Sequence, residues 1–241
     1  MTTALDEYLA TGLFGESIAT EDGRYQFVQL PLLLAPSRGA DANSAGAVWS
    51  DARRGWFANA SSDLGALARW LPDVIATHYF LATASTTCWK CRESTPVFSI
   101  AVPPSHLMQY PLPDDGDGPI TAIAWEAAEY GGFLSDLVEM SGSVRKVLAA
   151  HCPAYRVDYS HTADTNYLMN HCASCGAKQG DFYLHQEPGG AFFPITEDEA
   201  ARITLRRVNA LLLAQGSGGM SSEDLMPYCV MGEPIQVATR E

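Results

Sequence analysis

The chain has no run of 18 apolar residues. Its longest apolar stretch, Phe27 to Ala35, is interrupted by Gln29 and Pro31. A membrane-spanning helix needs about 20 apolar residues in succession, so none is expected. Met1 to Glu7 carry no basic group ahead of an apolar run and so lack the pattern of a secretory signal. A cytoplasmic location is expected. Familiar catalytic signatures are missing as well: there is no Gly-rich phosphate loop, no His-Glu-x-x-His step and no nucleophile elbow. Their absence weakens an enzymatic reading without removing it. Lys and Arg are absent from the whole interval between Arg92 and Arg145. That interval holds Glu93, Asp114, Asp115, Asp117, Glu126, Glu129, Asp136 and Glu139.

What is present is an ordinary globular composition. The 241 residues are 47% hydrophobic and 18% charged, enough for one large domain or two small ones. The net charge is −13. A nucleic-acid face normally shows as a basic patch. The one stretch able to supply it runs from Arg53 to Arg92, with Arg53, Arg54, Arg69, Lys90 and Arg92 against Asp63 and Asp73. Trp56, Trp70 and Trp89 lie in the same stretch. The competing reading is a solvated surface with ordinary charge scatter, since net charge speaks to partners and not to fold.

Two cysteine steps carry the strongest chemistry: Cys88-Trp89-Lys90-Cys91 and Cys172-Ala173-Ser174-Cys175, the second followed by Gly176. Each Cys-x2-Cys turn lets two sulfurs grip one ion, and four thiolates close the tetrahedral shell of a structural Zn2+. Gly176 suits a tight turn because glycine reaches positive φ freely. Arg92 occupies the equivalent place after the first pair and makes a less favourable turn. A redox dithiol needs one such step and usually opens a helix, whereas neither pair precedes a helical pattern. Two disulfides suit an exported chain. An iron–sulfur cluster commonly uses other spacings. A catalytic zinc keeps an open position, which four cysteines do not leave.

The remaining Cys and His residues carry weaker signals. Cys152 and Cys229 read as buried thiols. His171 is a substitute ligand by position only. Asp158, Ser160 and His161 fall within a few residues of one another, but triads are assembled in space, and a hydrogen-bonded turn is the simpler expectation.

Punctuation by Gly and Pro divides the chain into short elements. Helices are expected within residues 1–15, over Leu64 to Trp70 behind a Ser62-Asp63 cap, over Leu134 to Met140, over Ser143 to Ala150, and after the capping run Thr196 to Glu199. Strands are expected over Tyr25 to Leu34, Gly55 to Ala58, Val74 to Ala84, Thr95 to Val102, Ile120 to Trp125, Tyr155 to Tyr159, Tyr167 to Met169 and Gly180 to His185. Ala35 to Ala45 reads as a loop. Ile203 to Leu213 fits strand or helix equally. Gly216 to Ser222 reads as a flexible linker. Each cysteine pair is followed by a strand, which is the parts list of a zinc ribbon, but 80 residues separate Cys91 from Cys172. The expected fold is α+β: a mixed sheet incorporating a split zinc ribbon, with a small N-terminal α/β module. Its expected divisions are the module at 1–73, the ribbon domain at 74–215 with an acidic insertion near 93–144, and a C-terminal tail at 216–241.

Two resemblances add to this. Val28-Gln29-Leu30-Pro31, Gly46-Ala47-Val48-Trp49-Ser50, Arg54-Gly55-Trp56-Phe57 and Ala68-Arg69-Trp70-Leu71-Pro72 resemble a small domain of unknown function. That domain recurs in plasmid-borne primase-like and conjugation-associated proteins. Ser37 to Asp41 stand where that family carries a lysine-bearing segment. Thr87 to Cys91, Asn170 to Ala177 and Gly180-Asp181-Phe182 resemble uncharacterised bacterial proteins with split four-cysteine ribbons. The resemblances imply a zinc-binding module in a nucleic-acid or mobile-element setting. A protein–protein adaptor, with the acidic interval meeting a basic protein, and an enzyme with an unfamiliar site remain open beside it.

Overall fold

The computed structural model describes residues 4–112, 118–218 and 224–237. Its strands in chain order are β1 (Ser17–Ala19), β2 (Tyr25–Phe27), β3 (Leu30–Pro31), β4 (Val48–Ser50), β5 (Gly55–Ala58), β6 (Val74–Ala76), β7 (Tyr79–Thr87), β8 (Ser94–Val102), β9 (Leu107–Leu112), β10 (Ala122–Ala127), β11 (Gly132–Met140), β12 (Tyr155–Ser160), β13 (Thr165–His171), β14 (Lys178–Gln179), β15 (Thr204–Val208), β16 (Leu212–Gly218) and β17 (Val230–Met231). The α-helices are α1 (Ala4–Ala10), α2 (Gly39–Ser44), α3 (Leu64–Leu67), α4 (Gly142–His151) and α5 (Glu197–Ala200). The fold is α+β, mostly strand. An eleven-stranded sheet runs β1-β2-β10-β9-β6-β16-β11-β8-β7-β15-β17, and two three-stranded sheets run β12-β13-β14 and β3-β5-β4. The large sheet is mixed, because β17 joins β15 in parallel while its other pairs are antiparallel.

Its centre is covered on both faces, and the period of two is visible in the core. Along β7, Tyr79 and Leu81 enter one apolar cluster while Phe80, Ala82 and Ala84 enter another on the opposite face. In β8, Ile100 and Val102 join the first cluster, and Val97 and Ala101 the second. A third cluster links Phe14, Phe27 and Leu67 with Ile75, Leu107 and Trp125. N-terminal residues thus form their own sheet β3-β5-β4 and also pack onto the large one, where Tyr25 of β2 pairs with Trp125 of β10.

Several expected elements are corrected. Leu134 to Met140 is strand β11, not a helix. Its register shifts between Ser135 and Glu139, and Asp136 there adopts φ 51°. The bulge resets the alternation, so Leu134, Leu137 and Met140 all face one cluster. A spacing of three imitates a helical stripe. Gly180 to His185 is not a strand: the chain leaves β14 and forms a π-helical turn over Phe182–Gln186. The stretch 35–45 contains a 3-10 turn, Pro36–Arg38, and α2. The stretch Tyr25 to Leu34 divides between β2 and β3, and Val74 to Ala84 breaks between β6 and β7. Ile203 to Leu213 resolves as strand, in β15 and the start of β16. Gly216 to Gly218 belong to β16, and the rest of that predicted linker, like Asp114, Asp115 and Asp117, lies outside the described residues. Expected caps are made: Asp63 accepts from the Ala66 N–H, and Thr196 from the Glu199 N–H.

Candidate metal centre

Both cysteine pairs occupy hairpin turns, Cys88–Arg92 between β7 and β8 and Cys172–Gly176 between β13 and β14. The turns are built alike. The Cys88 N–H donates to the Glu93 carbonyl at 2.9 Å, and the Arg92 N–H donates back to the Cys88 carbonyl at 3.0 Å. In the second turn, Cys172 donates to Ala177 at 2.8 Å and Gly176 to Cys172 at 2.9 Å. The fifth residue is left-handed in each, with φ 67° at Arg92 and 71° at Gly176. Backbone N–H groups of Cys91 and Lys90 point at the Cys88 sulfur, and those of Cys175 and Ser174 at the Cys172 sulfur. These dipoles hold both thiols below their ordinary value, Cys172 at about 6.

The two turns face each other. Sγ of Cys88 lies 3.7 Å from Sγ of Cys175, and Sγ of Cys91 lies 3.7 Å from Sγ of Cys172. All four sulfurs fall within 4.8 Å of one another. A metal–sulfur bond of about 2.3 Å gives a tetrahedron with edges of about 3.8 Å, so the cluster fits one ion. Cys88 and Cys172 are buried, Cys91 half-buried and Cys175 exposed. Four sulfur donors of this size and softness can hold a metal and leave no open position for a reacting group.

Polar side chains at matching positions tie the turns together. Thr95, the seventh residue after Cys88, accepts from the Ala173 N–H at 2.9 Å. Gln179, the seventh after Cys172, donates to the Cys88 sulfur at 3.4 Å and to the Ala177 carbonyl at 2.9 Å. Trp89 donates its indole N–H to the Lys178 carbonyl at 2.7 Å. Beneath the turns, fully buried Asn170 acts as a surrogate strand residue. Its Oδ1 accepts from the Phe98 N–H and its Nδ2 donates to the Phe98 carbonyl, each at 2.8 Å. None of these was identified from sequence. The shared offset of Thr95 and Gln179 from their cysteines was the one available signal.

His171 is not a ligand here. Its Nδ1 faces the Ala154 carbonyl at 3.1 Å and its Nε2 faces Asp158 at 3.0 Å, so both nitrogens meet acceptors. Asp158 also meets Lys178 Nζ at 3.0 Å, and its carboxyl is held well below the usual range by His171 first and Lys178 second. Ser160 accepts from the Ala163 N–H in the β12–β13 turn, and His161 packs edge-on against Tyr159. Asp158 and Ser160 lie in β12 and His161 opens the turn that follows, so the Asp-Ser-His trio is a strand end and its turn. Cys152 and Cys229 are buried free thiols, pushed up to about 12 and about 11 by desolvation.

The candidate basic residues do not form one group. Lys90 and Arg92 are exposed in the first turn. Arg53 and Arg54 share the β4–β5 turn, and Arg53 donates to the Leu13 carbonyl and Gln29 while lying 3.9 Å from the Phe57 ring. Arg69 stacks on Trp70 at 4.1 Å. The neighbouring Ala68 carbonyl accepts from Gln215 of β16, three strands from β7 in the sheet. The acidic interval is also divided: Glu126 pairs with Arg24, and Glu139 with Arg145.

Comparisons of the chain with protein-family models, with curated proteins and with solved structures return no match. No helix among the described residues is long and apolar enough to cross a membrane.

Proposed function

We propose that the four thiolates hold one structural Zn2+, and that the two turns with their strands form a zinc ribbon split by 80 residues. The observation that carries this reading is the pair of matched turns with four sulfurs within 4.8 Å. A cluster of several irons would spread its cysteine sulfurs further apart than a single tetrahedral ion does. Elemental analysis of freshly purified protein should find about one zinc per chain; protein purified without metal overturns the assignment.

The ion is a clamp, and the chain works as a non-enzymatic, cytoplasmic binding module associated with nucleic acid. The first turn supports this role. Trp89 is 62% exposed there, flanked by exposed Lys90 and Arg92. An exposed indole offers a stacking surface and the cations meet phosphate. The resemblance of residues 25–72 to the small domain of plasmid primase-like and conjugation proteins supports the same setting. Single-stranded oligonucleotide should bind at low salt and weaken steeply as salt is added. A protein–protein adaptor is the second reading, favoured by the net charge of −13 and by the internal engagement of Arg53. No binding to DNA or RNA even at low salt selects it.

A further inference from the structure

Beside the first turn lies a cavity of about 780 Å³, bordered by Trp89 and Gln179, which tie the two turns together. Four separate segments meet in it: the first turn with Trp89 and Arg92, the β11 bulge with Asp136, the β12–β13 turn with Thr162 and Ala163, and the π-helical turn with Phe182 and Tyr183, entered from Asp181. Its volume lies in the range of small-molecule sites. Phe182 is 54% and Tyr183 72% exposed, their rings meeting edge-on at 5.5 Å, and Trp89 is 62% exposed. Asp181 is completely buried. Its Oδ2 accepts from the Asp136 N–H at 2.8 Å, but its Oδ1 meets no donor of the protein. A buried carboxylate oxygen without a donor is costly, and such groups are rarely kept without a purpose. Burial first, and the nearby Asp136 carboxylate after it, push this carboxyl up to about 7 against the lowering effect of the Asp136 N–H. A bulge and a π-turn, two irregularities that recur at functional sites, bring the two carboxylates together.

From this arrangement we infer that the cavity receives a single guanine base, stacked on the exposed aromatic side chains, its adjacent N–H donors turned to Asp181 and Asp136 and its phosphate toward Arg92. An ionised carboxylate only accepts hydrogen bonds, and Asp181 takes that form as pH rises above about 7. Guanine alone among the common bases presents two neighbouring donors on its pairing edge, whereas adenine and cytosine set a donor beside an acceptor. Unpaired bases are commonly read in this way, by edge hydrogen bonds and aromatic stacking. The inference rests on the nucleic-acid reading for its strand source. A free guanine nucleotide carries the same chemistry.

The test uses full-length, zinc-loaded protein with two sets of probes. One set is an all-thymine strand and the same strand carrying one guanine. The other is the free monophosphates GMP, AMP, CMP and UMP. The guanine strand should bind at least about tenfold more tightly than the all-thymine strand, and Asp181→Asn, which turns an acceptor into a donor, should erase that preference. Tyr183→Ala, at an exposed position, should weaken guanine binding about tenfold without touching the fold. This second variant keeps the test valid if Asp181→Asn does not fold. Salt-sensitive strand binding with no guanine preference overturns the cavity assignment and leaves the nucleic-acid reading standing. Binding of GMP over the other monophosphates, with no strand bound, does the reverse and makes the free nucleotide the ligand. Binding of neither overturns both.

Discussion

The two cysteine turns share a hydrogen-bond pattern and differ in their fifth residue and in the strand each one feeds. The second places glycine at its left-handed fifth position, and a Cβ added to Gly176 would meet nothing within 4 Å. The first places Arg92 in the same conformation, at a cost of about 1 kcal/mol relative to glycine. The first feeds β8, nine residues long and paired along its length with β7. The second feeds β14, two residues long, after which the chain turns toward Asp181. Local backbone preference therefore does not set the geometry of the first turn. The facing sulfurs and the reciprocal bonds of Thr95, Ala173, Gln179 and Trp89 impose it, and the side chain retained at position 92 lines the cavity.

The largest expected effect tests whether the turns are one unit. Cys88→Ser and Cys175→Ser should each abolish metal binding and cooperative folding, and a chelator should do the same to the unaltered chain. Retention of a sharp thermal transition in either variant would show that the halves stand without the ion.

A pH titration separates the segments beyond the turns. The Asp181 carboxyl, near 3.8 when unfolded, is raised to about 7 by burial. Between those values the folded state keeps a proton that the unfolded state releases. The associated stability is therefore complete below pH 3.8 and is lost as pH rises through 7. The stability of the parent chain relative to Asp181→Asn should fall across this window by up to about 1.4 kcal/mol per pH unit. His185, lowered to about 3 by burial, acts in the opposite direction and loses stability as pH falls below 6.5. Chemical denaturation of both proteins from about pH 4 to 8 measures the difference; parallel curves would place the Asp181 charge in a solvated site.

Asn170→Ala should cost about 2–3 kcal/mol, because it strands the Phe98 N–H and carbonyl. A loss below about 1 kcal/mol would mean the second turn is held to β8 by the sulfurs alone. The smallest pair bears directly on the turns. Gly176→Ala should destabilise by about 1–2 kcal/mol, and Arg92→Gly should stabilise by about 0.5–1 kcal/mol. Opposite signs are the prediction, and equal signs would dissolve the equivalence of the two fifth positions. In the nucleic-acid assay Arg92→Gly should also reduce the salt dependence of binding, since it removes one phosphate contact.

Legibility differed with the range of the interaction that shapes each element. The cysteine steps were readable because two ligands sit within one turn. Asp63 and Thr196 announced their helices because a cap reaches only to the next turn. Leu134 to Met140 read as a helix because a bulge between Ser135 and Glu139 converts a period of two into a spacing of three. Gly180 to His185 read as strand because the local composition carries no record of the π-turn over Phe182–Gln186. Of the five basic residues, Arg53 looked equal to the rest, and only its contacts with Leu13, Gln29 and Phe57 show that its guanidinium is engaged within the fold.

By itself the sequence determined the donor chemistry, four cysteines in two tight turns, because those spacings are set by covalent reach and backbone geometry over four residues. Only the tertiary structure decided that the four sulfurs meet within 4.8 Å, that Thr95 and Gln179 cross between the turns, and that Asp136 and Asp181 close on one cavity. These groups come from strands distant in the chain. Their meeting depends on sheet order, register and a bulge, which arise from the packing of apolar faces and leave no local mark on the residues they bring together.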